Sequence, residues 1–517
     1  MDYYHAYHSL YARDRLTSRL SLAGDGDVDC LPLDENTLHR LQRNDPSLLG
    51  LRIDATNSNW VEGAGIVIGN SMFLREIVLE MKQDPCGNIP THRLEELCRG
   101  ISHNRTIQTF RMVGEGHFQH LDMDIFQILT PFFEYNRRIH TVSLGHLDMS
   151  SSPAFDSLIL ALSTCKELKC FHVDNITCAY RENATRLFDA LSTKGLVELK
   201  LRFFHSARSQ RLLVSPSVSE SSALHQKVGL ALANLITTSA NSMCALELIN
   251  GHFDRCGFSF IVDALRCCKT LKHLGLIGVA NYVPDPPRFS KGHFRSCIND
   301  GNVIELGDYF AGIDTLNSLD LDSSCYSITS ISGWRGLVKC LRKVNSSLYS
   351  LSLQNCDMND EMARAIVSAL SGNSCLRELC LLKNAWITDN IWDDILNMLC
   401  DRTSVGSIMS SSNHTLQSIL IDLPIPAEVA FLLAMNRNVG RSGAIRGKIL
   451  KYHFSDKGDG DKCANIHVFA QMSESMMPIA LEWIGRNRSE FSVMYEVVQV
   501  RPAMFDVTPR QQIILNE

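Results

Sequence analysis

Two aspartates in the segment Leu319-Asp-Leu-Asp-Ser-Ser324 have the spacing of a phosphoryl-transfer nucleophile that follows a strand. Asp320 and Asp322 also fall in register with a leucine repeat that runs through most of the chain. In that register they occupy alternating positions of one short strand, so both carboxylates are expected to point to solvent. We therefore interpret them as surface residues of a repeat rather than as catalytic groups.

Histidine and cysteine spacing gives no stronger indication of chemistry. The pairs His5/His8 and His117/His120 have the i, i+3 spacing of metal ligands, but no third ligand is near either pair in the sequence. The eighteen cysteines include no CxxC pair of the kind that binds zinc. The sequence also contains neither a GxxxxGK[ST] phosphate loop nor a GxSxG nucleophile elbow. We expect no enzyme activity, no metal and no cofactor.

The dominant pattern is LxxLxL, whose best copies include Leu376-Arg-Glu-Leu-Cys-Leu-Leu-Lys-Asn384. Its intervals cluster at 28 to 33 residues, with longer ones where the unit carries an insertion. A motif kept at one period over most of a chain is the signature of a repeat architecture. Its leading apolar residues are Leu48, Leu74, Ile107, Ile139, Leu168, Leu196, Met243, Leu271, Leu316, Leu348, Leu376 and Leu416.

Each unit predicts one short strand followed by one helix. The last two apolar residues of LxxLxL lie on the same side of a strand, facing one core. Helical spacing follows in the later repeats, as in Met362, Ile366, Val367 and Leu370. Neither element could bury its apolar side alone, so neighbouring units must stack. The predicted fold is an α/β solenoid of about 12 repeats, with a parallel sheet on the concave face and helices on the convex face.

This β–α unit with LxxLxLxxN/C resembles the ribonuclease-inhibitor-like class of leucine-rich repeat. The resemblance is clearest over residues 240–384 and implies a horseshoe that binds another protein, without implying an activity. The C-terminal tail, with Asn436-Arg-Asn438 and Trp483-Ile-Gly-Arg486, is similar to that of uncharacterised leucine-rich-repeat families of microalgae.

The ends of the chain lack the repeat, which predicts three parts. Residues 1–45 form an N-terminal segment in which Asp34 begins a capping helix, residues 46–433 form the solenoid, and residues 434–517 form a helical C-terminal cap or tail. Insertions at 205–224, 281–300 and 400–413 are predicted loops, and the first and last of them are rich in serine. Such loops could bind a partner or simply be tolerated surface segments.

Charge and hydropathy favour a soluble protein of the cytoplasm, with the nucleus as a second possibility. The net charge of −6 gives no reason to expect nucleic acid as a partner. The start of the sequence lacks an apolar signal region, and no stretch of 18 apolar residues is present. We expect the cysteines to be reduced thiols, and the N-x-S/T sequons, such as those at Asn104 and Asn413, to be chance matches.

The strand positions that face away from the core define a candidate binding surface. Over twelve repeats these positions hold ten acidic and four basic residues, and the acidic excess lies in the C-terminal half. This surface predicts a protein partner, possibly a basic one. The selected binding residues are Lys200, Arg202, Glu247, His273, Asp320, Asp322, Gln354, Glu378 and Asp422.

We therefore interpret the chain as a protein-interaction scaffold that binds its partner on the concave face. One alternative is an adaptor that recruits substrates to a ubiquitin ligase, which would need a docking element in residues 1–45 or 434–517. A second is an enzyme whose site lies on the insertion loops, which would need clustered, pKa-shifted residues near 281–300.

Overall fold

The structure is a computed structural model that describes most of the repeat region. The described residues are 30–54, 63–81, 91–114, 125–145, 152–174, 181–202, 218–249, 255–281, 312–324, 331–342, 347–449 and 451–452, with short pieces between them. The predicted histidine pairs, most of the 205–224 and 281–300 insertions, and the predicted helix over 480–505 lie outside the described residues. The chain divides into an N-terminal unit, Met1–Ser215, and a C-terminal unit, Pro216–Glu517.

The N-terminal unit alternates strands and helices. Its main parallel sheet has the strand order β1-β2-β3-β4-β5-β7-β9, and β6 pairs with β8 in a separate small sheet. The elements are β1 (Cys30–Pro32), α1 (Glu35–Gln42), β2 (Gly50–Asp54), α2 (Ala64–Asn70), β3 (Glu76–Met81), α3 (Thr91–Ser102), β4 (Thr109–Gly114), α4 (Ile125–Tyr135), β5 (Thr141–Gly145), β6 (Asp148–Met149), α5 (Ser152–Thr164), β7 (Cys170–Asp174), β8 (Thr177–Cys178), α6 (Arg181–Leu191) and β9 (Glu198–Arg202).

The C-terminal unit repeats the same alternation. Its parallel strands follow the order β10-β11-β14-β15-β16-β17, and β12 pairs antiparallel with β13. The elements are α7 (Val218–Thr238), β10 (Ala245–Ile249), α8 (Arg255–Leu265), β11 (His273–Ile277), β12 (Ala280–Asn281), β13 (Arg295–Ser296), β14 (Ser318–Asp320), α9 (Ile331–Leu341), β15 (Ser350–Ser352), α10 (Asp360–Ala369), β16 (Glu378–Cys380), α11 (Ile391–Leu399), α12 (Val405–Ser411), β17 (Ser418–Leu420), α13 (Ala427–Asn438) and α14 (Gly440–Ile449).

The predicted repeat register is confirmed. All twelve LxxLxL motifs form strands, and the leucines of one motif pair in register with those of the next, as Leu351 does with Leu379. Leu376, Leu379 and Leu381 are each at most 1% exposed. Each unit has the α/β fold of stacked strand–helix repeats that the motif predicted.

A strand and a helix precede the first repeat. The capping helix predicted at Asp34 is confirmed, because the Asp34 carboxylate accepts the Thr37 N–H at 2.7 Å and begins α1. The sequence analysis did not predict β1, which pairs with β2 through Cys30 and Gly50. The first repeat strand therefore has a pairing partner on its N-terminal side.

The asparagine at offset 8 of the motif joins one repeat to the next. The Asn384 amide donates to the carbonyls of Leu353 and Leu381, both at 2.9 Å. Its oxygen accepts the N–H groups of Cys356 at 2.9 Å and Met358 at 3.1 Å. One buried side chain thus satisfies four backbone groups that the turns would otherwise leave unpaired.

A second asparagine lies three residues before the leading leucine. Asn413 donates to the carbonyls of Leu370 and Asn373 at 2.9 and 3.1 Å, and accepts the N–H of Leu416 at 2.8 Å. Asn104 makes the equivalent bonds in the N-terminal unit. Both asparagines are 0% exposed. At both sequons the asparagine is therefore a buried structural residue of the repeat.

Glycine pairs allow neighbouring helices to approach closely. A Cβ on Gly229 in α7 would lie 2.4 Å from the Cα of Gly257 in α8, and one on Gly100 in α3 would lie 2.1 Å from the backbone of Gly65 in α2. No side chain fits at those distances. These glycines therefore let the helices pack at the spacing that the strands impose.

The predicted loop at 400–413 is wrong. Residues Val405–Ser411 form α12, which begins at Ser404, whose hydroxyl accepts the Ser407 N–H at 3.0 Å. Val405 and Ile408 are buried, and this burial holds a serine-rich helix that has little intrinsic propensity to form.

A buried lysine ties the last helix to the final repeat. Lys448 in α14 is 0% exposed, and its ammonium donates to the carbonyls of Leu399 and Asn413, both at 2.7 Å, and to Nδ1 of His414 at 3.3 Å. The His414 Nε2–H in turn donates to the Ile408 carbonyl at 2.7 Å. Burial lowers the pKa of Lys448 to about 8. Burial, together with the Lys448 charge, lowers the pKa of His414 to about 4.

Leu379→Ala should reduce the free energy of unfolding by about 2–5 kcal/mol, because it empties a core position that no neighbour can fill. Leu420→Ala is the matched control, since Leu420 is 43% exposed at the next strand. It should cost no more than about 0.5 kcal/mol in the same urea denaturation experiment. If both variants lose the same free energy of unfolding, the repeat register assigned to these strands is wrong.

The stability of the protein should fall between pH 6.5 and pH 4 because of His414. In the unfolded chain His414 is protonated as the pH falls below 6.5, whereas in the folded protein it is protonated only near pH 4. The loss is on the order of 3 kcal/mol, at roughly 1.4 kcal/mol per pH unit. In His414→Gln this contribution is absent, while all other titrating groups are unchanged. Identical pH profiles of the urea midpoint for both proteins would disprove the role of His414.

Candidate protein-binding surface

The outward strand positions of the N-terminal unit follow the predicted alternation in some strands. In β4, β7 and β9 half-buried and buried residues alternate as the motif predicted, whereas in β3 the outward Glu76 and Val78 are buried. All four basic residues at these positions contact acidic ones on the same face. The pairs are Arg52–Glu80 at 3.4 Å, Arg111–Glu76 at 2.9 Å, Lys200–Glu198 at 2.8 Å and Arg202–Asp174 at 3.3 Å.

Lys200 and Arg202, two predicted binding residues, are therefore engaged within the sheet. Burial alone would raise the pKa of Glu198, but His172, whose Nε2 lies 3.2 Å from the Glu198 carboxylate, and the charge of Lys200 lower it to about 2. Glu198 is thus ionised at neutral pH and neutralises much of the Lys200 charge. The strand face of the N-terminal unit offers a partner little net charge.

The strand face of the C-terminal unit has a different charge pattern. Its outward positions carry five acidic residues and no lysine or arginine. Lys272 and Arg377 lie one residue before β11 and β16, at the edge where the chain enters the strands. Asp320, Asp322 and Asp422 lie at or beyond the ends of their strands, whereas Glu378 begins β16 directly after Arg377. The five acidic residues are Glu247, Asp320, Asp322, Glu378 and Asp422.

Only some of these five acids are accessible. Glu378 and Asp422 are exposed and Asp320 is half-buried, whereas Glu247 is 9% exposed. Glu247 fits because the neighbouring strand has Gly275 beside it, where an added Cβ would lie 2.9 Å from the Glu247 Cγ. His273 lies on the same side of β11 as Gly275 and is half-buried. Glu378 and Asp422 are the acids that a partner would meet first.

The prediction that Asp322 points to solvent is wrong. Asp322 is 1% exposed, and its carboxylate accepts the Ser352 hydroxyl and, at 2.8 Å, the Gln354 N–H. The strand alternation ends at Asp320, and the left-handed backbone of Ser323 (φ 55°) turns the chain inward. Gln354, which follows β15 in the same way, is also buried. Asp322 and Gln354 therefore hold adjacent repeats together.

The more accessible acids accept hydrogen bonds from neutral groups. Glu378 accepts the Ser350 hydroxyl at 3.3 Å, and Asp422 accepts the Lys383 N–H. Asp320 accepts the Asp322 N–H at 3.1 Å. The structure thus brings Asp320, Asp322 and Gln354 into one hydrogen-bonded cluster, with Glu378 on the following strand.

The turns that follow the strands of the C-terminal unit are called the rim below. One residue of this rim was not selected from the sequence. Trp386, in the turn between β16 and α11, is 66% exposed. The indole Nε1–H donates to Asp357 at 2.9 Å. The signal in the sequence was a tryptophan directly before the buried Ile387, outside the helical spacing of α11.

Within the described residues, no group of three or more His, Cys, Asp or Glu side chains is arranged to hold a metal ion. The same part of the chain has no helix whose length and hydropathy would let it cross a membrane.

Comparison with known proteins does not assign a family. No protein-family model matches the chain, and no curated protein matches it. Among solved structures it is similar to the yeast Rad7–Elc1 complex, at 14% identity over 69% of this chain and 84% of that chain, with a TM-score of 0.37. It is also similar to actin-binding site 2 of leiomodin-1, at 11% identity over 41% of this chain and 91% of that chain, with a TM-score of 0.19. At these TM-scores neither similarity indicates a function or a partner.

Asp322→Ala should reduce the free energy of unfolding by about 1–3 kcal/mol, because the buried Gln354 N–H and the Ser352 hydroxyl lose their acceptor. Glu378→Ala, the control at an exposed position of the same face, should change it by no more than about 0.5 kcal/mol. Urea denaturation of both variants measures the difference. A tolerated Asp322→Ala would restore the view of Asp322 as a surface residue.

Proposed function

We propose that the chain is a protein-interaction scaffold whose C-terminal unit binds a basic segment of a partner protein. The observation that carries this proposal is the charge of its strand face, where accessible carboxylates of Asp320, Glu378 and Asp422 are accompanied by no strand lysine or arginine. Complementary charge accelerates association and excludes acidic competitors. The partner is accordingly rich in lysine or arginine and is not a nucleic acid.

The size of the face favours an extended segment as the ligand. Six strands at roughly 4.8 Å spacing span about 24 Å, and strands of three to five residues give a width of roughly 10–16 Å. The resulting area is on the order of 240–400 Å², about a third to a half of one partner's share of a standard interface. A stretch of peptide chain fits this area better than a second globular domain.

The proposal includes no catalytic step. The aspartates whose spacing suggested phosphoryl transfer have structural hydrogen bonds, with the buried Asp322 accepting from Ser352 and Gln354. A carboxylate saturated by backbone and hydroxyl donors is a poor nucleophile. A ubiquitin-ligase adaptor would be a special case of the scaffold, with its docking element in residues 1–45 or 434–517.

We also propose that the repeats are of the ribonuclease-inhibitor-like class and that the protein acts in the cytoplasm or nucleus. Strand pairs such as Leu246–Leu274 and Leu351–Leu379 keep the 28-residue interval of that class. Seven of the described cysteines are buried as thiols, and burial raises the pKa of Cys98 to about 12. Thiols packed in this way are typical of a reducing compartment.

Fluorescence anisotropy with labelled 12-residue peptides tests the proposed function. Peptides of net charge about +4, zero and −4 at matched length should bind in that order at 50 mM salt, and binding of the basic peptide should weaken at 300 mM. The double substitution Glu378→Gln/Asp422→Asn should weaken binding of the basic peptide by about fivefold, or roughly 1 kcal/mol.

The matched control is Glu361→Gln/Asp393→Asn, which removes the same charge from exposed positions on α10 and α11. It should change the affinity for the basic peptide by no more than about twofold, because these carboxylates lie on the helices and not on the strand face. Equal effects of the two double variants would show that only net charge matters, and the strand face would then not be the site.

A further inference from the structure

The rim of the C-terminal unit presents an aromatic side chain to solvent. Trp386 is 66% exposed, although the next residue, Ile387, is buried and anchors the same turn. Trp392 in α11 and Trp334 in α9 are both buried in the core. Exposed tryptophan is uncommon and is enriched where proteins bind each other.

The exposed indole is held in one orientation. Its Nε1–H donates to Asp357 Oδ1 at 2.9 Å, and its backbone forms a parallel bridge with Asn359. Asn384 holds both ends of this contact, because its carbonyl accepts the Ile387 N–H at 3.1 Å and its side chain accepts the Cys356 and Met358 N–H groups. A side chain ordered before binding loses little conformational entropy when a ligand arrives.

Three carboxylates belong to the turn of Trp386 or to residues bonded to it. Asp357 and Asp389 are exposed, and Asp360 accepts both the N–H and the hydroxyl of Thr388, two residues after Trp386. In the described part of the chain Asp357 has Trp386 as its side-chain partner, which leaves its Oδ2 available. An aromatic face beside a carboxylate is suited to a cation that stacks on the ring and bonds to the acid.

We infer that Trp386 and Asp357 form a binding site for an arginine side chain of the basic segment. The planar guanidinium can stack on the indole while one N–H donates to Asp357, whereas a lysine ammonium, strongly hydrated and compact, matches only part of this arrangement. Trp386 lies six residues after the end of β16, so the site adjoins the edge of the strand face where Asp422 is exposed. This inference rests on the proposed function and specifies which residue of the partner is recognised.

The test uses the full chain and two 12-residue peptides of equal charge, one with arginine and one with lysine as its only basic residue type. The native protein should bind the arginine peptide several-fold more tightly. Trp386→Ala should weaken the arginine peptide about fivefold to tenfold and should largely remove the preference over lysine. Trp386→Phe should retain part of the preference, and Asp357→Asn, which still accepts the indole N–H, should weaken both peptides.

The control is Val439→Ala, a substitution of another exposed apolar residue of the same unit. Its affinity for both peptides should equal that of the native protein. If the arginine peptide binds Trp386→Ala as tightly as it binds the native protein, this inference is overturned while the scaffold proposal stands. If neither basic peptide binds the native protein, both proposals are overturned. Circular dichroism melting should show that all variants fold equally well.

Discussion

The repeats depend on hydrogen bonds from side chains of one unit to backbone groups of its neighbour. Several strands contain only three residues, so most of each unit consists of turns and helices. The inward-facing backbone groups in these turns have no partner in the sheet. Asn384 and Asn413 provide both donors and acceptors for these groups inside the core. A buried group left unpaired would cost on the order of 1–3 kcal/mol. Asparagine is the shortest side chain with two N–H donors and a carbonyl acceptor, so it can satisfy several backbone groups at once at the two offsets.

The leucine positions could be predicted because burial imposes a spacing that appears directly in the sequence. The burial of Asp322 could not be predicted in this way. Side chains alternate between the two faces only inside a strand, and β14 ends two residues before Asp322. Helix α12 was missed for a related reason. Its serines have weak helix propensity, and only the capping Ser404 with Val405 and Ile408 signals a helix. The structural role of Asn104 and Asn413 could not be predicted either, because the sequence does not show which backbone carbonyls lie within reach of their side-chain amides.

The two units use the charges on their strand faces differently. Exposed ion pairs contribute little to stability, so the contacts of Arg52 and Arg202 add little folding energy. Arg111 instead compensates the charge of the buried Glu76. The main effect of these ion pairs is to neutralise the face. On the C-terminal unit, Glu378 accepts the Ser350 hydroxyl and Asp422 accepts the Lys383 N–H. Those partners orient a carboxylate without cancelling its charge. A negative face therefore persists only where the sequence supplies neutral donors.

Asn384 links the packing of the repeats to the presentation of the rim. Its side chain bonds to the backbone on either side of Asp357, while its carbonyl holds the turn that carries Trp386. Lys383 and Asp357 both have a left-handed backbone in these turns. A substitution at Asn384 would therefore disturb the core and the rim together, whereas a change at Trp386 or Asp357 affects the rim alone. Specificity at this rim can thus vary independently of the fold, because the residues that contact a partner differ from those that close the repeat.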